Sequence, residues 1–381
     1  TAKAARTAAS NAGAKVVKTF AYEISGSEQQ EIYDINPDLV LLCGGTDGGN
    51  KEVIISNAKH LVAIDRPFTT IVAGNKSAND DIKAIFNEAG KDVVITENVM
   101  PQFNKLNIEP ARDAIRQLFI SRIIEAKGLN ILQAMTPYKI IPTPLAVLHA
   151  CELLSKGTKT QQGRGDLLAV DIGGATTDVY SMASGEPTVD NTMLKGLPEP
   201  WMKRTVEGDL GMRYSLTHVF EQIPGADNPE NEYMQQVKAW VELCTARPDT
   251  LAAPGSEEEK LEEFLGRSAV SMAVERHCGR IADVYTPLGL MHTQEGKDLM
   301  NVPSVIGIGG VLRNSRRPEE ILKGSLYDIM HPECTKPRKP KFYLDQKYIF
   351  ASMGLLRSIN PELAFELLDK ETVEIGCNAT V

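Results

Sequence analysis

Residues 167–182, LLAVDIGGATTDVYSM, run from an apolar strand into a carboxylate, through two adjacent glycines, and back into a second apolar run. Few folds accommodate that order. Leu167 to Val170 are continuously apolar, as in a strand buried on both faces, so Asp171 falls where the strand emerges at its C-terminal edge. Gly173 and Gly174 allow positive φ and a close approach by a bulky anion, with successive N–H groups aimed at it. Thr176 and Thr177 add hydroxyl donors, and Asp178 lies on the returning strand. Two carboxylates flanking such a loop suit a hydrated Mg²⁺, which takes one or two carboxylates plus phosphate oxygens. The segment therefore reads as a hairpin gripping Mg-nucleotide phosphates. Its plainer alternative is a tight turn capped by its own aspartates. No G-x-x-x-x-G-K-[ST] occurs, so a P-loop is excluded.

The residues before this hairpin alternate short apolar runs with helically spaced segments: KVVKTFAYEI, SEQQEIYDI, DLVLLCGG, NKEVIISNAKHL, TTIVAGN, ANDDIKAIFNEAG and DVVITE. That alternation predicts βαβ units around a parallel sheet. EPARDAIRQLFISRIIEAKG puts Ile115, Leu118, Phe119 and Ile123 on one helical face with Pro110 in the first turn, and PLAVLHACELLSKG predicts another helix. The polar link TKTQQGRG then marks a lobe boundary. The expected organisation is an N-terminal α/β lobe over 1–160, a second lobe over 161–335 and a C-terminal helical segment over 336–381. A helix is expected through GRSAVSMAVERHCGRIADVY, and Lys336, Arg338, Lys339 and Lys341 read as a solvated linker.

A chain of 381 residues, 42% hydrophobic, can build more than one core. Its net charge of -9 argues against nucleic acid or a membrane surface as partner. Six dispersed cysteines form no C-x-x-C pair, which indicates neither a disulfide frame nor a zinc site. With no apolar run of about 18 residues and no signal-peptide pattern, a cytoplasmic protein is expected. Thr1 opens what reads as mid-helix, so a natural beginning upstream is also expected.

VIGIGGVLRN, residues 305–314, is a second chemical element. A strand, the paired Gly309 and Gly310, and a following helix let a flat base and ribose lie against backbone, and Arg313 can stack on a purine. VDIGGATTDVYSM resembles the second phosphate loop of the actin, Hsp70 and sugar-kinase superfamily, and GIGGVLRN resembles its adenosine loop. That resemblance implies a two-lobed α/β, actin/Hsp70-like (ribonuclease H-like) ATPase fold closing on Mg-ATP. LLCGGTDGGNKEVIISNAKHL, VEGDLGMRYS, RHCGRIADVYTPLG and KPKFYLDQKYIFASMGLL narrow it to the MutL-type accessory proteins of glutamate mutase, over nearly the whole chain. The family implies an ATP-using chaperone or reactivating factor for an adenosylcobalamin-dependent mutase, with the mutase subunits as partners. By the same resemblance Asp171 and Asp178 hold Mg²⁺ through water, and Asp171 also orients the attacking water. Gly173, Gly174, Thr176 and Thr177 contact phosphates; Gly309, Gly310 and Arg313 contact adenosine. A D-x-G-S-type first phosphate loop, expected ahead of the first α/β segment, is absent from this sequence, which leaves hydrolysis by this chain open.

Two other functions use the same residues: a small-molecule kinase with Asp171 as general base, and a nucleotide-binding interaction protein without turnover. Weaker candidates are CGGTDGGNKE, a turn for an anion or a partner's cofactor or else a βα turn capped by Asp47, and VEGDLGMRYS, whose Glu207 and Asp209 with Gly208 and Gly211 lie near a γ-phosphate or in a capping loop. Glu275, Arg276 and His277 read as a solvated helix face or as adenine neighbours, and His149 as a core or interface histidine.

Overall fold

The computed structural model describes residues 2–377 apart from 13, 15, 127, 128, 139, 197, 198, 227 and 288. The chain divides into two bodies, residues 1–142 and 143–381.

The first body contains α1 (Ala2–Asn11), α2 (Gly26–Ile35), β1 (Leu39–Leu42), α3 (Glu52–Val62), β2 (Thr69–Val72), α4 (Asn79–Glu88), β3 (Val93–Ile95), α5 (Glu109–Ala126) and α6 (Leu129–Ala134). Its strands are parallel in the order β1-β2-β3. Val40, Leu42, Val72, Val93 and Ile95 pack with Ile54 and Leu61 of α3 and with Ile82 and Phe86 of α4. Leu39, Leu41, Ile71 and Val94 pack instead with Ala12 and with Ile115 of α5. A period of two with both partners apolar is what a pleated sheet covered on each face imposes. The strand expected in KVVKTFAYEI does not form among the described residues. There the Asn57 side chain accepts from the Ile24 N–H (2.8 Å) and donates to the Tyr22 carbonyl (2.9 Å), replacing a ladder. Phe119 and Ile123 of the expected helical face have side chains outside the described set.

The second body contains α7 (Thr143–Lys156), β4 (Leu167–Ile172), β5 (Thr177–Met182), β6 (Thr192–Lys195), β7 (Met202–Glu207), α8 (Leu216–Glu221), α9 (Glu232–Ala246), α10 (Glu257–His277), β8 (Arg280–Thr286), β9 (Gly289–Glu295), β10 (Ser304–Ile308), α11 (Gly310–Asn314), α12 (Pro318–Leu322), β11 (Lys341–Asp345), α13 (Phe350–Leu356), α14 (Pro361–Glu371) and β12 (Thr372–Cys377). A mixed sheet runs β12-β11-β10-β4-β5-β7, with β4, β10 and β11 parallel and β5, β7 and β12 antiparallel to their neighbours. A smaller sheet has the order β6-β9-β8. Leu168, Val170, Ile172 and Val179 share a core with Leu265, Ala269 and Val270 of α10. Asp171, Asp178 and Tyr180 alternate with them and so line the other face, where α7 packs on β5 and on α13. The α7–α13 contact is close because α13 offers Gly354, where a Cβ would lie 1.8 Å from the Ala146 carbonyl oxygen.

Residues 336–377 supply the strands β11 and β12 as well as α13 and α14, so the C-terminal segment is not purely helical. KFYLD alternates buried and less buried positions, as an added strand requires. Helix α10 ends at His277, short of IADVY, because Gly279 must approach the Gly296 carbonyl carbon (2.8 Å from a Cβ) where β8 turns to pair with β9. Lys336 is buried and not solvated, its ammonium donating to Ser271 Oγ at 2.9 Å. Lys297 is buried too, donating to the Trp201 carbonyl (2.6 Å) and to Ser181 Oγ (3.1 Å), and burial brings its amine down to about 7. No helix among the described residues is long and apolar enough to cross a membrane.

Candidate functional site

Strands β4 and β5 face each other antiparallel, with Asp171 directly opposite Asp178 and Ile172 opposite Thr177. The turn between them closes through the Gly173 N–H to the Thr176 carbonyl at 2.9 Å. Neither Gly173 nor Gly174 takes positive φ, contrary to expectation. What Gly174 provides is clear space: a Cβ there would meet nothing nearer than Arg213 Cβ at 3.7 Å.

A loop at 208–215 buttresses the turn from behind. The Met212 N–H donates to the Gly173 carbonyl (3.0 Å), and those of Arg213 and Tyr214 both donate to the Gly174 carbonyl (2.8 Å). Ser215 Oγ donates to the Ala175 carbonyl at 2.9 Å. Gly211 is what permits this contact, since a Cβ would sit 2.2 Å from the Ala175 carbonyl carbon. With the turn's carbonyls so engaged, the N–H groups of Gly174 and Ala175 have no acceptor among the described residues. Outward amides beside inward carbonyls form a ready anion-binding concavity. Thr177 belongs to the buttress: it is buried, and its hydroxyl donates to the Leu210 carbonyl at 2.5 Å.

The two aspartates have different surroundings. Asp178 is buried and accepts from Arg204 of β7, through Nε at 2.8 Å and Nη2 at 2.5 Å, with Thr176 Oγ1 at 3.3 Å from its other oxygen. Asp171 is the one β4 residue that is not fully buried. Burial, then the nearby charges of Asp178 and Asp345, push its carboxyl up to about 7, with Arg204 opposing. Asp345, at the end of β11, is a third acid at this edge; its carboxylate accepts the N–H groups of Ile349 (2.9 Å) and Phe350 (3.0 Å). Beneath them the buried Tyr180 hydroxyl has no hydrogen-bond partner among the described residues, and Arg204 lies 5.9 Å from that ring's centroid.

The second glycine turn meets the first. Ile308 of β10 pairs with Asp171, and Gly309, at φ 108°, would place a Cβ 2.3 Å from the Ile172 carbonyl oxygen. Only glycine fits there. Gly310 opens α11 with nothing nearer a Cβ than Asn314 Nδ2 at 3.9 Å. Arg313 is exposed. Asp171, Asp178, Gly173, Gly174, Thr176, Gly309 and Gly310 thus gather at one sheet edge, while Thr177 faces inward. Arg204 and Asp345 complete the edge without having been singled out for it from sequence, and the 211–215 loop, the end of VEGDLGMRYS, buttresses the turn from behind.

The weaker candidates resolve structurally. Arg276 ties Glu207 (2.7 Å) and Asp209 (2.8 Å) together, holding Asp209 down at about 2. His277 is buried between Ser181 Oγ and Thr205 Oγ1, each 2.8 Å away. In the first body, Asp47 accepts the Lys76 N–H at 3.1 Å and so caps the turn after β2, not the helix after its own loop. Asn75 Oδ1 receives the Gly48 N–H at 3.0 Å, and its Nδ2 donates to the Gly49 carbonyl at 2.9 Å.

Comparison with known proteins identifies the family. The chain is 45% identical over 378 residues to "Protein MutL" of Clostridium tetanomorphum, an alignment spanning 98% of this chain and 81% of that protein. The family model described as "MutL protein" matches residues 1–372. A match of that length and identity leaves one conclusion: the chain belongs to the MutL family, the one associated with glutamate mutase.

Proposed function

We propose that the second body binds Mg-ATP on a ribonuclease H-like, actin/Hsp70-type scaffold, and that the protein is an ATP-using reactivating factor for an adenosylcobalamin-dependent mutase, glutamate mutase first among them. The observation that carries this reading is the meeting of two glycine turns at one sheet edge, one flanked by Asp171 and Asp178, the other wedged against Ile172. A sheet in which the antiparallel β4, β5 and β7 adjoin the parallel β10 and β11 supports the scaffold. Association of the family with glutamate mutase supports the partner.

The residues fit the group. Burial first, then the charges of Asp178 and Asp345, raise Asp171 with Arg204 as the opposing cation, so a divalent ion would offset the charge repulsion within this group. Mg²⁺ keeps several of its waters and takes one or two carboxylates, which Asp171 and Asp178 would offer. When bound, Mg²⁺ supplies charge neutralisation at the phosphate oxygens. The Gly174 and Ala175 amides would hydrogen-bond those oxygens, and Thr177 would hold the turn from behind through Leu210. Asp178, fixed by Arg204, would reach the ion through water. A carboxyl titrating near neutrality equips Asp171 to accept a proton from an attacking water.

The test is recovery of hydroxocobalamin-blocked glutamate mutase on addition of the protein, ATP, Mg²⁺ and adenosylcobalamin. Wild-type protein should restore activity with ATP consumption, and Asp171→Ala should cut both by about 100-fold or more. Unimpaired turnover in that variant would remove Asp171 from the mechanism. Transfer of phosphate to a metabolite with no mutase present would favour the kinase.

A further inference from the structure

Tyr348 has φ 57°, a left-handed backbone that a bulky aromatic residue rarely adopts. Its surroundings hold it there. The Asp345 carboxylate takes the N–H groups of Ile349 and Phe350, on the C-terminal side of Tyr348, and the Tyr348 N–H itself reaches the Asp345 carbonyl at 3.3 Å. Helix α13, which follows, is seated on α7 through the Gly354–Ala146 contact. The loop is thus a fixed arm on β11, two strands from β4, and it ends at the same sheet edge as the two glycine turns. Yet Tyr348 itself is 55% exposed. Strain maintained by a buried carboxylate to display an unburied tyrosine has no stability rationale, and such outliers cluster at ligand clamps.

Strand pairing sets the loop beside the second glycine turn, since β11 pairs with β10, whose end carries Gly309, Gly310 and Arg313. Burial, then the charges of Asp171 and Asp345, hold the proton on the Tyr348 hydroxyl, with Arg313 opposing. Arg313 is therefore near, but it is not among the guanidinium groups of this body that lie over a ring, which are Arg164, Arg204 and Arg338. Its guanidinium also has no hydrogen-bond or ion-pair partner among the described residues. The exposed Arg313, on the helix after β10, and the exposed Tyr348, on the loop after β11, thus stand at the ends of two paired strands, beside the open surface of Gly310.

We propose that Tyr348 is the base-recognition residue of this site, its ring stacking on the flat heterocycle of a nucleoside triphosphate whose phosphates occupy the 173–176 turn. The inference rests on the nucleotide reading above and adds a residue to it. Base–aromatic stacking tolerates any base, so the contact confers preference for a nucleotide over a bare polyphosphate rather than for one base.

Calorimetric titration with Mg-ATP and with Mg-tripolyphosphate tests it. Tyr348→Ala should weaken ATP binding about tenfold or more and leave tripolyphosphate within twofold, while Tyr348→Phe keeps both. Tyr348→Gly relieves the backbone strain and removes the ring; it should show the same selective loss in a protein at least as stable as wild type. Equal loss for both ligands, no loss for either, or loss in Tyr348→Phe overturns the stacking role. Wild-type protein that binds neither ligand sinks the nucleotide reading itself. Binding abolished by Asp171→Ala but untouched by Tyr348→Ala sinks only this inference.

Discussion

Asp171 shows how far single residues could be read from sequence. An acid at the end of an apolar strand, before two glycines, was legible because every residue involved lies within one local segment. Arg204, Asp345 and Tyr348 were not, since only strand order brings β7 and β11 to the same edge; nothing in their local sequence distinguishes them from ordinary charged and aromatic positions. Thr177 was legible as part of the motif but not in its orientation, because the period of two turns it inward while Thr176 stays near the surface. The crowding of acids has a thermodynamic consequence. Asp171 binds its proton more tightly in the folded chain, up to about 7 against 3.8 when unfolded, so stability falls as pH rises from about 4 to 7 and stays reduced above that. Asp171→Asn should therefore stabilise the protein at pH 8 without divalent cation, by roughly 1–3 kcal/mol once partial solvent screening is allowed for. Scanning calorimetry should show melting raised by a few degrees at pH 8 and nearly unchanged at pH 4. A variant that melts lower at pH 8 would contradict the assignment.

Among the elements, the βα alternation of the first body was readable because each strand shows apolar residues on both faces and each helix a matching stripe. KVVKTFAYEI misled because its apolar content is that of a strand, whereas Asn57, on a helix more than 30 residues away, satisfies its backbone. Strand β12 was similarly obscured, since it depends on β11 for its pairing, whereas α13 falls within the expected C-terminal helical segment and depends on α7 for its seat. One such dependence is steep. Gly354→Ala would drive a methyl into the Ala146 carbonyl, so α13 must shift on α7 at a cost of about 2–3 kcal/mol. Urea unfolding followed by circular dichroism should report that loss. The same shift would displace the loop that carries Tyr348.

At the scale of the whole molecule, both bodies have cores of their own. Both tryptophans, Trp201 and Trp240, belong to the second body, so intrinsic fluorescence follows that body alone. A fragment comprising residues 143–377 is expected to unfold cooperatively in urea with the fluorescence midpoint of the full chain. A clearly lower midpoint would mean that the second body draws stability from the first. The sequence-based boundary at the polar link and the observed division after residue 142 differ by the single helix α7. Composition marks where the chain is solvated, whereas α7 is assigned by which partner its apolar side chains touch.

The sealed lysine at position 297 has a practical use. At neutral pH an amine brought down to about 7 is unprotonated far more often than an ordinary surface ammonium and so a better nucleophile, yet no acylating reagent can reach this one while it stays buried. Its modification by an amine-selective label would consequently act as a clock, counting how often the interior of the second body opens to solvent.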